Sequence, residues 1–491
     1  MKKIIALTAF IAAMLPLPAI ARGLPQGPPP VPGEAVVRAA TPKALAQAIA
    51  SLSQQFAGVG VIDRINGRPI YLISYQLNGN QTVDQFENAL RALTQQGTLS
   101  WEELNYTGQT GEGQTDSLWL SGLGLSAEQF NAQYASPLMG VDVAHKSSRG
   151  AGVVVSVIDT GIDAAHPLLS GAVSTQGASF VPGSTNFNDV GDGIDNDGDG
   201  FIDEQVGHGT FVAGLIHLVA PDAMILSARA LDSEGRGNNF RIAQAIAWSI
   251  DRGAHVINMS LGESYHSQSI VNMVNEADSK GIVICGAAGN GNSNSVRQYP
   301  ACEATALGVT ALDWNDVRAP FSNWDIRMDI AAPGHTEILN GVPRLDHSII
   351  GPIPGGQFAV WKGTSFANAF VSGTVALVRS QNPQWPNTNV PATQIRSRIL
   401  AMIADSGASV DFQNPTFAGQ LGQARVSASG VVKLSPVAPP MCDIDCDGVV
   451  GASDLASILG NWGPTPIWTR ADLNADGFVD SVDLAILLSR W

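Results

Sequence analysis

The strongest constraint on this chain is an alternation of short apolar runs with helix-length amphipathic stretches between residues 126 and 433. The runs 153–158, 223–230, 255–259 and 282–285 are four to eight residues long and rich in Val, Ile and Ala. Runs of that length without regular polar alternation suit strands buried on both faces. Between them, 240–251 and 269–279 carry apolar residues at helical spacing. Strands that alternate with helices predict an α/β fold, a doubly wound and mostly parallel sheet with helices on both faces. In such a sheet, functional groups gather beyond the carboxyl ends of the strands.

Three segments fit that placement. The run 155–158 ends in Asp159-Thr160-Gly161; His208 lies between Gly207 and Gly209 at a predicted helix start; Ser365, after Gly363-Thr364, opens an apolar helix. A fourth, Gly289-Asn290, follows the run 282–285. A serine hydroxyl is a poor nucleophile at neutral pH and needs a base. A histidine oriented by a carboxylate supplies one, and an amide donor can hold the negative charge of a tetrahedral intermediate.

These segments resemble the active-site motifs of the subtilisin-like serine proteases (subtilases, the peptidase S8 family), which carry Asp, His and Ser in that chain order. The resemblance covers residues 126–433. It implies Asp159, His208 and Ser365 as the triad, with Asn290 and the backbone N–H of Ser365 as oxyanion donors. It also implies a cleft edged by Ser260-Leu261-Gly262 on one side and Gly235 and Gly237 on the other, with Gly289 in the wall of the S1 pocket. Protein or peptide substrates would bind there as an added strand. The sequence departs from the family at Phe211, where many members have His, and at Asn368-Ala369, where Ser-Pro is common. Gln298 falls near the S1 floor, where a small residue is common, which leaves the preference at that pocket open. An inactive, calcium-dependent scaffold on the same fold is the alternative; the intact set of four residues argues for an endopeptidase working through an acyl-enzyme.

The flanks suggest export. Lys2 and Lys3, an apolar stretch over 4–17 and Ala19-Ile20-Ala21 give residues 1–21 the form of a signal peptide. The expected destination is extracellular, periplasmic or cell-surface, with no membrane span after signal removal. Residues 22–33 are a Pro- and Gly-rich leader. Residues 34–115 read as a ferredoxin-like α+β unit of β-α-β-β-α-β order. That unit resembles the family's inhibitory propeptide, which makes the chain's own propeptide a partner of the enzyme. Within it, 107–115 is rich in Gly, Gln and Thr and reads as an exposed, cleavable loop. The net charge of −16, with no dense basic stretch, excludes a general nucleic-acid binder.

A Pro-rich linker, 434–441, leads to an internal repeat in 442–491. Asp443, Asp445, Asp447 and Asp454 occupy loop positions 1, 3, 5 and 12, with the carbonyl of Val449 as a further ligand; Asp472, Asn474, Asp476, Asp483 and the carbonyl of Phe478 repeat the set. Oxygen ligands at those spacings wrap a Ca²⁺ ion in EF-hand loops. Two such loops with following helices resemble a dockerin, a small all-α module, which implies structural Ca²⁺ and a cohesin-like partner; a calcium-stabilised tail without a partner is the alternative. A third acidic run, with Asp195, Asp197, Asp199 and Asp203 just before His208, reads as another calcium loop or as a solvated insertion. No organic cofactor is expected. Cys285 and Cys302 flank the Asn290 loop, and a disulfide or two buried free thiols would fit.

Overall fold

The computed structural model describes residues 29–112, 119–196, 198–434, 451–464, 471, 473 and 478–488. The expected signal peptide, most of the leader, the linker beyond 434, Asp197 and the ligand candidates Asp443, Asp445, Asp447, Val449, Asp472, Asn474 and Asp476 lie outside the described residues.

The N-terminal unit has the expected order: β1 Pro30–Arg38, α1 Pro42–Ser53, β2 Ala57–Arg64, β3 Ile70–Gln76, α2 Val83–Gln95 and β4 Trp101–Thr110. Its strands pair antiparallel in the order β4-β1-β3-β2. Thr41 starts α1 by accepting from the Ala44 N–H, with Pro42 at the first turn, where its missing N–H costs nothing. Thr82 and Gln85 form a reciprocal capping box at α2. Phe86, Leu90 and Leu93 of α2 pack with Leu52, Ile73 and Leu104 to form the unit's own core.

The central sheet has seven parallel strands. In chain order they are β5 Val154–Asp159, β6 Ala178–Ser179, β7 Met224–Arg229, β9 Val256–Met259, β11 Val283–Ala287, β12 Leu307–Leu312 and β13 Ile330–Pro333; across the sheet they run β13-β12-β11-β9-β5-β7-β6. The four predicted strand runs supply its centre. On one face lie α3 His208–Val219 and α6 Thr364–Gln381, whose residues fill the larger core cluster. On the other lie α4 Asn239–Asp251 and α5 Gln268–Ser279, packed in a second cluster with Ile158, Ile257 and Ile284. Two short strands, β8 Arg236–Asn238 and β10 Leu261–Gly262, leave the sheet at its carboxyl edge. Phe211 is fully buried, its ring 4.5 Å from that of Phe366 and 5.9 Å from that of Trp361, so an aromatic core contact fills the position where the family often has His.

The expectation of an exposed loop is overturned at 107–112; residues 113–115 lie outside the described residues. The strand β4 runs on to Thr110, between β8 and β10 and antiparallel to both. Thr107, Gly108 and Gln109 face Asn238, Gly237 and Arg236, while Thr110 and Gln109 face Leu261 and Gly262. The segment lacks apolar side chains, but two unpaired strand edges need only backbone partners. Thr110 ends fully buried.

The same N-terminal unit caps two helices of the catalytic region. Glu103 accepts from the N–H groups of Gln268 and Ser269 at the start of α5, and Asn105 accepts from the Phe240 N–H at the start of α4. These are the ends at which a helix leaves N–H groups unpaired and favours negative charge. Val36, Ile65, Ile70 and Leu72 complete the contact by joining the core beneath α4 and α5.

Of the two alternatives for Cys285 and Cys302, the free thiols are found. Cys285 on β11 joins the main core, in hydrogen-bond contact with Ser372 on α6; Cys302 packs against Ala288, Ala301 and Met328 in a separate cluster. Burial pushes the Cys285 thiol up to about 12 and that of Cys302 to about 11, which keeps both protonated and inert.

Near the C-terminus, α9 Ala452–Gly460 and α10 Ser481–Leu488 share a small core of Ile458, Ala471, Val479 and Leu487. (α7 is Ile395–Ser406 and α8 is Ala428–Leu434.) Asp454 and Asp483 are buried there: Asp454 accepts from the Gly451 N–H, and Asp483 from the N–H groups of Leu473 and Asp480. Phe478, in a short strand, is exposed.

Candidate active site

Asp159 is the last residue of β5, His208 the first of α3 and Ser365 the second of α6. The sheet carries all three to its carboxyl edge, and all three are buried. His208 Nδ1 lies 2.7 Å from Asp159 Oδ1. That bond fixes the ring and leaves Nε2 on the Glu112 oxygen to which Ser365 Oγ also donates. Gly207 precedes His208 at φ +100°, where an L side chain is strained, and a Cβ there would meet Ile353 and Pro354 at 3.3 Å.

Asn290 is held from the serine side. Its Oδ1 accepts from the N–H and the hydroxyl of Thr364, each at 2.9 Å, so its Nδ2 is aimed into the site. The Thr364 hydroxyl in turn accepts from the Gly289 N–H at 3.1 Å. Below Ser365, a buried polar chain ties α6 to the sheet: Ser260 Oγ donates to the Ser365 carbonyl, Asn258 Nδ2 donates to Ser260 Oγ, and Asn368 Nδ2 and Ser372 Oγ both donate to Asn258 Oδ1. Asn368, a departure from the family pattern, therefore anchors the helix that carries Ser365.

Two further carboxylates belong to the site, and sequence reasoning missed both. Asp189 is fully buried and accepts from the N–H groups of Gly207 and Thr210 and from the hydroxyls of Thr160 and Thr210. It grips the backbone on both sides of His208, and burial pushes its carboxyl up to about 6 against those hydrogen bonds. Only its place at the head of the acidic run hinted at it.

The other is Glu112. Its Oε2 lies 2.6 Å from Ser365 Oγ and 2.9 Å from His208 Nε2, and its Oε1 lies 2.9 Å from Asn290 Nδ2. The chain's own strand thus fills the cleft, and its carboxylate sits among the catalytic groups. The carboxylate nests on bare backbone, since a Cβ on Gly363 would overlap Glu112 Oε1. Burial pulls the pKa of His208 down, but the charges of Asp159 and Glu112 and their hydrogen bonds outweigh it and raise it from 6.5 to about 10. The available sequence clue was that Glu112 is the only charged residue between 104 and 115.

The predicted cleft residues border β4. Leu261 and Gly262 pair with β4 on one side; Gly237 pairs with it on the other, where the Gly235 carbonyl accepts from the Thr110 N–H at 2.9 Å. Gly289 lies beside Asn290 at φ +93°. In the acidic loop the described carboxylates are turned to backbone N–H groups. Asp195 accepts from the N–H groups of Gly198 and Gly200, Asp199 from that of Phe201, and Asp203 from those of Asp192 and Gly193. Among the described residues no three such side chains converge on one cation position, there or in the C-terminal pair of helices.

Comparison with known proteins agrees with this geometry. Residues 150–423 match the model of the subtilase family, peptidase S8. The chain is 37% identical to Subtilisin BL of Lederbergia lenta over 250 residues, which is 49% of this chain and 81% of that protein. It is 36% identical to Subtilisin E of Bacillus subtilis (strain 168) over 262 residues, 51% of this chain and 60% of that one. Among solved structures, fervidolysin from Fervidobacterium pennivorans, described as a keratinolytic enzyme related to subtilisin, superposes with a TM-score of 0.62 at 22% identity, over 84% of this chain and 63% of that one; this supports the fold.

Proposed function

Since the chain belongs to the subtilase family and is a serine endopeptidase, we propose that it hydrolyses protein substrates through Asp159, His208 and Ser365 by way of an acyl-enzyme. The observation that carries this reading is the Glu112 carboxylate. It already accepts hydrogen bonds from Ser365 Oγ, His208 Nε2 and Asn290 Nδ2, the three groups that must meet around a reacting carbonyl.

With Glu112 withdrawn, Ser365 Oγ is free to donate to His208 Nε2. Ser365 attacks the scissile carbonyl while His208 takes its proton. The oxyanion then rests on Asn290 Nδ2 and the N–H of Ser365; one such donor is worth about 3–4 kcal/mol of barrier. His208 returns the proton to the leaving amine, and water repeats the sequence on the acyl-enzyme. Asp159 holds the ring and stabilises its cation.

The rest of the chain is assigned around this centre. Residues 34–115 act as an inhibitory propeptide, a reading supported by β4 in the substrate cleft and by Glu103 and Asn105 at the two helix starts. The N-terminal sequence supports export, and among the described residues no helix is long and apolar enough to cross a membrane. The spacing of the C-terminal repeat supports Ca²⁺ binding and a cohesin-like partner. Casein hydrolysis by the expressed chain, lost in Ser365→Ala, tests the central reading. Equal activity in both proteins would refute it and favour the inactive scaffold.

A further inference from the structure

We propose that Gln298 fills the pocket for the residue before the cut bond and restricts this enzyme to small residues, Gly or Ala, at that position. The inference rests on the protease reading above and names its substrate class.

The pocket opens between β10 and the Gly289-Asn290 turn. Gln298 is buried directly after a mostly exposed stretch, 291–297. Its neighbour Tyr299 is clamped to Glu263, just beyond β10, by two backbone hydrogen bonds of 2.9 and 3.2 Å. From that fixed base the side chain spans both walls. A Cβ on Gly262 would lie 2.7 Å from Gln298 Oε1, and one on Gly289 would lie 2.7 Å from Gln298 Cγ. A substrate side chain entering between those glycines meets the Gln298 stem and carboxamide.

Gln298 has little room to withdraw. The cavity it lines with Ala288, Cys302, Asn323 and Met328 measures about 10 Å³, roughly the space of one water molecule. A second observation agrees. The self-bound strand reaches this pocket with Gly111, the residue before Glu112. Its missing Cβ would point at Asn290 Nδ2, 2.9 Å away, with the Gly289 Cα at 3.8 Å. The segment selected to fit this cleft carries no side chain there.

The test is a set of peptides identical except for Gly, Ala, Leu or Phe before the cut bond. They are assayed with the expressed full chain after it has been incubated to maximal casein hydrolysis. The wild type is expected to favour Ala over Phe by at least ~10-fold in kcat/KM, and Gln298→Gly to raise the Phe value at least ~10-fold, the scale on which pocket contacts discriminate. Gln298→Met, of similar length but without the amide, is expected to keep the wild-type order. Gln298→Ser serves as a second opening variant should Gln298→Gly fail to fold, as judged by its melting temperature. A wild type that prefers Phe or Leu overturns the proposal while leaving Ser365-dependent casein hydrolysis intact. Opened variants that still favour Ala overturn the assignment to Gln298. Absence of any Ser365-dependent cleavage overturns both this proposal and the protease reading.

Discussion

Glu112→Gln is the most informative single change. It preserves shape and removes one charge from a cluster in which His208 and Glu112 are both fully buried, 2.9 Å apart. Breaking a buried, hydrogen-bonded charge pair from one side costs about 2–5 kcal/mol. The carboxamide keeps part of the hydrogen bonding, so the lower end applies. A cost of about 2–3 kcal/mol corresponds to a roughly 30- to 150-fold larger open fraction. The assay is the initial rate at which a fluorophosphonate labels Ser365, read only from the band of full-length chain so that cut molecules do not contribute. Glu112→Gln should label faster by that factor, and Ser365→Ala not at all.

The pH dependence provides a second arm. In the closed form the pKa of His208 is raised from 6.5 to about 10. A group whose pKa is raised in one state favours that state when protonated; Asp159 stays beside His208 in both forms, so the Glu112 share of the rise is what favours the closed form, and that support is lost as pH rises through about 10. An open triad keeps Asp159 but loses Glu112, so its His208 finishes titrating at a lower pH than in the closed site. Continued acceleration of labelling from pH 8 to 10, by up to about tenfold per unit, is therefore the mark of the closed site. Glu112→Gln should flatten that rise. Equal labelling rates for the two proteins, with equal pH slopes, would refute the claim that this carboxylate blocks the site.

Two other changes follow from the same structure. Asp189→Ala leaves the N–H groups of Gly207 and Thr210 and the Thr160 hydroxyl without their acceptor; with each buried orphan costing about 1–3 kcal/mol, the melting temperature should fall by more than roughly 4 °C and kcat should drop more than KM rises, whereas unchanged kinetics would show that Asp189 does not position His208. Chelation with EDTA should lower the melting temperature of the full chain and added Ca²⁺ restore it; an identical melting curve would remove the calcium reading of the C-terminal repeat and of the loop before His208.

The legible parts of this protein are those whose physics is local. Strand runs such as 282–285 declare themselves by buried apolar composition, and α1 and α2 by their Thr caps. Asp159, His208, Ser365 and Asn290 stood out because each lies in a short Gly-rich segment that resembles a subtilase motif, and the structure brings them together around Glu112. The placement of 107–112 was not readable, because a strand held by backbone bonds to β8 and β10 needs no pattern of its own. Glu112 was invisible for a related reason: its partners lie 96, 178 and 253 residues away, and nothing in Gly111-Glu112-Gly113 announces a contact at that range. The state of the two thiols was hidden for the same reason. Closeness in sequence to the Asn290 loop left a pairing open, but β11 turns Cys285 toward the α6 side of the sheet while Cys302 packs with Met328. Asp189 and Asn368 add the complementary case: buried polar residues that touch no substrate, fixed by hydrogen bonds from several elements at once. Such residues are selected by the assembled site, so only the assembled site identifies them.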